Sequence, residues 1–116
     1  MDQTMEQQLL SAGVNIREGV ARFAGNAPLY EKFLFKFLDD PSFAQLQTAV
    51  AAANWEDALT AAHTLKGVSG NLGLDALFNA SAQVVSLLRE QNPAGALSAY
   101  ETLKKSYDEI MGILRH

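Results

Sequence analysis

Residues 61–73 read AAHTLKGVSGNLG, with His63 the only histidine inside the chain and Lys66 and Gly67 three and four positions after it. In a helix, residues three and four apart share one face, so this spacing gathers an imidazole, a cation and a gap into one patch. A turn of about 100° per residue, applied across 56–72, separates two faces. Ala58, Ala61, Ala62, Leu65, Val68, Ser69 and Leu72 gather on one and must meet a core. Glu56, Leu59, Thr60, His63, Lys66, Gly67 and Gly70 gather on the other. His63 therefore points away from the apolar stripe, where a merely packed histidine would not be.

Working outward, the same period recurs on both sides. Asn54 with Asp57 has capping-box spacing and starts the histidine helix, expected over about 54–70. Upstream, residues 4–12 form a short helix with Met5, Leu9 and Leu10 as apolar positions, closed by Gly13. Asn15 with Glu18 starts a second, carrying Ile16, Val20 and Phe23 and stopping at Gly25. Asn26 caps a third, with Pro28 in its first turn, where a missing N–H costs little. Its stripe is Tyr30, Phe33, Leu34, Phe37 and Leu38; Phe35 falls off it and either packs against the N-terminal helix or forms an exposed apolar spot.

Asp40 caps the next helix with Pro41 at its first position, and Phe43, Leu46 and Val50 carry its stripe. Downstream of the motif, Leu74-Asp75 opens a helix with Leu77, Ser81, Val84 and Leu88 on one face. Asn92-Pro93 opens the last, whose Leu97, Tyr100, Leu103, Tyr107, Ile110 and Leu114 alternate three and four apart, a bundle seam. No segment sustains a period of two. The expected fold is all-α: an antiparallel four-helix bundle with additional short N-terminal helices, one domain over 1–116.

Composition narrows the chemistry. The chain has 116 residues, 48% of them hydrophobic, and no cysteine, which excludes disulfides and thiolate metal sites. A net charge of −4 without any Lys/Arg cluster argues against nucleic acid. No apolar run approaches the roughly 18 residues that span a bilayer, and the opening MDQTMEQQ lacks the layout of an export signal. A cytoplasmic, monomeric protein is expected. A lone internal histidine is a poor zinc site, and no phosphate loop or paired carboxylate appears, so no metal and no cofactor are expected.

What remains is the His63 face. Two glycines inside one helix each cost about 1 kcal/mol relative to alanine, and both Gly67 and Gly70 lie beside the histidine. A helix that breaks its own propensity on one face marks a candidate site, with Gly67 and Gly70 admitting a partner's bulk; the bland alternative is helix–helix packing. Phosphoryl transfer asks for positioning and for neutralised oxygens, and the Lys66 ammonium one turn from the imidazole can supply the second. Leu59, exposed beside His63, would join Phe35 as an apolar docking margin.

The stretch AHTLKGVSGNLG resembles the signature of histidine-containing phosphotransfer (HPt) domains, and GVARFAGNAPLYEKFLFKF looks like their first two core helices, so the likeness spans most of the chain. The resemblance implies a helical bundle that takes a phosphoryl group on His63 from the aspartate of a response-regulator receiver and passes it to another. Lys66 would steady the phosphoryl group and Gly67 would admit the partner. Magnesium and the phosphoaspartate would belong to the receiver, and a hybrid histidine kinase is a further implied partner. The chain would be a carrier, not an autonomous enzyme. Two alternatives stand beside it. One is a helical adaptor that binds such partners without being phosphorylated. The other is a dimeric kinase phosphorylation domain, which Thr64, where such domains carry an acid, argues against.

Overall fold

Four asparagines set the helix starts. In the computed structural model, which describes residues 1–116, the side-chain oxygens of Asn15, Asn26, Asn54 and Asn92 each accept the amide three residues on, at 2.9–3.1 Å. Each cap satisfies an amide that has no partner inside its helix. They open α2 (Ile16–Arg22), α3 (Ala27–Lys36), α5 (Trp55–Asn71) and α7 (Pro93–Leu114); α1 (Gln3–Ser11), α4 (Ser42–Ala51) and α6 (Asp75–Arg89) complete the set, with a 3₁₀ turn at Phe37–Asp39. No strand is present.

The sequence expects Asp40 and Pro41 to open α4 as cap and first residue; the helix instead begins at Ser42. Asp40 still serves it, because its carboxylate accepts the Ser42 amide at 2.9 Å. The 3₁₀ turn shifts the start by tightening the chain just before it.

Helices α4 to α7 form the expected up-and-down bundle, each packed on the next through a short turn. Leu46, Leu65, Leu77, Leu103 and Ile110 are fully buried at its centre. Phe43 of α4 closes the ring of helices by stacking on Tyr107 and Tyr100 of α7, with centroids 3.9 and 6.1 Å apart. Burying this apolar set is the main term that holds the bundle together.

The three short helices lock the turn between α5 and α6. Tyr30, its ring buried against Gly19, donates its hydroxyl to the Leu72 carbonyl at 2.8 Å. Burial, and secondarily the Asp75 charge, push its phenol up to about 12. The Asn15 amide donates to the Gly73 carbonyl at 2.6 Å, and the Ala76 amide to the Gly13 carbonyl at 3.1 Å. Gly73, at φ 70°, has the Asn15 carbonyl where a side chain would stand, so only glycine fits this turn. The C-terminal end of the histidine helix is thereby pinned from outside the bundle.

Three apolar positions depart from expectation. Leu10 is 57% exposed because Leu9 takes the buried slot of α1. Phe33 is 40% exposed and stacks on Phe23 at 5.4 Å, since the short helices cover only one side of α3. Leu97 is 42% exposed, and Ala96 fills the buried position at the start of the α7 seam. Phe35, the position off the α3 stripe, is half-buried against the core.

Candidate functional site

The faces of α5 separate in the main as the periodicity predicts, but Leu59, expected exposed, and Val68, expected buried, are both half-buried and pack against the edge of the core. Ala58, Ala61, Ala62, Leu65, Ser69 and Leu72 are buried, whereas His63, Thr64 and Gly67 are exposed. Asn54 fixes the start of this helix twice, accepting the Asp57 amide at 3.1 Å and donating to the Asp57 carboxylate at 2.8 Å. Capped at one end and held by Tyr30 at the other, α5 is a rigid mount for the imidazole.

His63 lies in a shallow depression of about 470 Å³ lined with Leu59, Thr60, Thr64, Gly67 and Arg89. The hydroxyls of Thr60 and Thr64 donate back to the carbonyls of Glu56 and Thr60, at 3.3 and 3.1 Å. Their protons are committed, which leaves Arg89, the last residue of α6, as the donor lining this depression. Sequence reasoning missed Arg89. It lies 26 residues beyond His63 and arrives only because α6 runs back along α5. No spacing rule within one helix could have found it.

Lys66 is partly buried and extends toward α6, where its ammonium stands 5.8 Å from the centroid of the Phe78 ring. None of the three salt bridges in the protein uses Lys66 or Arg89. Both cations flanking the histidine helix therefore lack a carboxylate partner and are open to an anion.

The two glycines differ. A side chain at Gly67 would meet nothing within 4 Å, so the surface beside His63 is open there. At Gly70 a Cβ would stand 3.2 and 3.3 Å from the Phe78 ring, so that space is taken by the protein itself. Of the expected docking margin, Leu59 joins His63 in the depression and Phe35 does not.

A larger cavity of about 560 Å³ lies between α2, α3, the α3–α4 connection and the end of α5, lined by Phe23, Phe33, Lys36, Asp39 and Leu72 among others. It holds no histidine, cysteine, serine or threonine; its polar lining is Arg22, Lys36, Asp39, Asp40 and Asn71. No group of three or more His, Asp or Glu side chains is placed to hold a metal, and no helix is long and apolar enough to cross a membrane.

The arrangement is an unencumbered imidazole on a rigid helix, open on one side and flanked by two unpaired cations, which suits a transferable anionic group. No curated protein matches the chain, and no solved structure matches it. The family model for the Hpt domain matches residues 34–112. That covers the bundle, the motif and Arg89, and leaves α1, α2 and most of α3 outside, including most of the upstream stretch read as family-like. The chain belongs to the Hpt domain family, the phosphotransfer modules of His–Asp phosphorelays.

Proposed function

We propose that His63 accepts a phosphoryl group from the aspartyl phosphate of a receiver domain and returns it to the aspartate of another. The unprotonated ring nitrogen attacks phosphorus, the bond from phosphorus to the carboxyl oxygen breaks, and the carboxylate leaves with the electron pair. The proton on the other ring nitrogen can pass to solvent. Discharge to the second receiver is the reverse step. The exposed imidazole beside the open Gly67 is the observation that carries this reading, since an in-line attack needs the partner's phosphate to come within contact distance of the ring.

Arg89 and Lys66 complete the account. Phosphoryl transfer is catalysed mainly by positioning and by charge stabilisation on the equatorial oxygens. Arg89 offers that from within the depression and Lys66 from the α6 side. Leu59 gives the partner an apolar foothold next to the nitrogen. The receiver supplies the phosphoaspartate and its magnesium, so the chain acts as carrier and co-substrate and has no kinase activity of its own.

Incubation with ³²P-charged receiver domains tests this. Label should move to the chain, survive alkali, be lost in acid, and be absent from His63→Ala. Binding of receivers without any label would favour the adaptor reading instead.

A further inference from the structure

Phe78 is a half-buried aromatic that the hydrophobic core does not use: it is neither within the buried cluster nor among the side chains packed against it. Its ring meets α5 instead. Gly70 leaves the room the ring occupies, and the Lys66 ammonium stands over the ring at 5.8 Å. Lys66 is partly buried without any carboxylate to draw it in, and the ring face supplies the attraction.

We infer that Phe78 is a positioning residue for Lys66, a platform on α6 that holds the ammonium on the α6 side of the histidine helix before the phosphoryl group arrives. This rests on His63 being the phosphoacceptor. A free lysine has a long flexible stem, and ordering it during the reaction would cost rate. A cation–π contact at this distance is weak at a partly exposed site, whereas a charge-assisted hydrogen bond to a phosphoryl oxygen is stronger. The ring therefore orders the ammonium without sequestering it. Gly70 acquires a role by the same geometry. The sequence assigns it to partner access, but its space admits Phe78, so it serves the site through the ring.

The test uses the full chain and a small donor, potassium phosphoramidate, so no partner surface is involved. The unprotonated nitrogen of His63 attacks phosphorus, the P–N bond of the donor breaks, and ammonia leaves. Phe78→Leu keeps apolar bulk but removes the ring face; Phe78→Tyr keeps the face. Phe78→Leu should phosphorylate His63 about two- to five-fold more slowly, the rate equivalent of a partly exposed cation–π contact, and Phe78→Tyr should match wild type. In a Lys66→Met background, Phe78→Leu should have no further effect. Nuclear magnetic resonance should show a ring-current shift on the Lys66 ε-protons in wild type and Phe78→Tyr, lost in Phe78→Leu. Unchanged or faster phosphorylation of Phe78→Leu, or equal slowing with and without Lys66, overturns the role of Phe78 while leaving His63 as acceptor. A wild-type chain that keeps the ring-current shift yet takes no phosphoryl group on His63 defeats both.

Discussion

Gly67→Ala should make the protein more stable and less active, and the opposite signs are the point. Gly67 lies inside α5, and a Cβ there would meet nothing within 4 Å. The methyl group therefore adds no clash, and the helix gains about 1 kcal/mol from the better helix former. For a domain of this size that raises the melting temperature by about 4 °C. Against a docked receiver the same methyl group projects into the partner. Overfilling a packed contact costs about 1–3 kcal/mol, so transfer from a charged receiver should slow by about 5- to 150-fold. Phosphorylation by phosphoramidate, which needs no docking, should be nearly untouched. Circular dichroism melts and label transfer at limiting receiver concentration measure the two effects. Transfer from receivers at the wild-type rate would refute the role given to Gly67. A lower melting temperature would refute the reading of open space at that position.

Tyr30→Phe strands the buried Leu72 carbonyl and should cost about 1–2 kcal/mol in urea unfolding at neutral pH. The Tyr30 phenol is raised in the folded state from 10 to about 12, so its contribution is complete below pH 10 and disappears as pH rises toward 12. Wild type should lose stability across that window more steeply than Tyr30→Phe, and parallel pH profiles would contradict the assignment. Arg89→Ala should leave the melting temperature unchanged within error and slow phosphorylation by up to about five-fold, since the site is solvent-exposed and its charge contacts are screened. Added salt should narrow the difference between Arg89→Ala and wild type. An effect that salt does not touch would argue that Arg89 acts through packing.

Much of this fold is legible in the sequence because local chemistry and tertiary need agree. Asn15, Asn26, Asn54 and Asn92 cap helices wherever asparagine precedes an apolar period, and the α5 wheel sorts buried from exposed correctly for His63, Leu65 and Gly67. What fails is the rank of neighbours along one stripe. Periodicity cannot choose between Leu9 and Leu10, or between Ala96 and Leu97, because the choice depends on which other helix arrives. Nor does it find helix ends that lack glycine. Ala53 and Gln91 turn the chain at φ 52° and 58°, a conformation that costs a side-chain-bearing residue about 1–2 kcal/mol and leaves no mark in composition.

The candidate site divides the same way. His63, Lys66, Gly67 and Leu59 share one helix face and can be read together from their spacing. Arg89 and Phe78 belong to α6, and nothing in a single-helix wheel relates them to the histidine. The difference between Gly67 and Gly70 is likewise tertiary. Both look like the same propensity fault in sequence, but one faces open space and the other faces a phenyl ring.

The central claim is that His63 carries a phosphoryl group between two receivers. Its most direct measurement charges the chain with one phosphorylated receiver, removes that receiver, and maps the phosphoryl group by mass spectrometry under alkaline conditions. A second, uncharged receiver is then added. The account predicts phosphohistidine at His63 alone, discharged to an aspartate of the second receiver, with no charge on His63→Ala. A phosphoryl group on any other residue, or one on His63 that no receiver can remove, would contradict it.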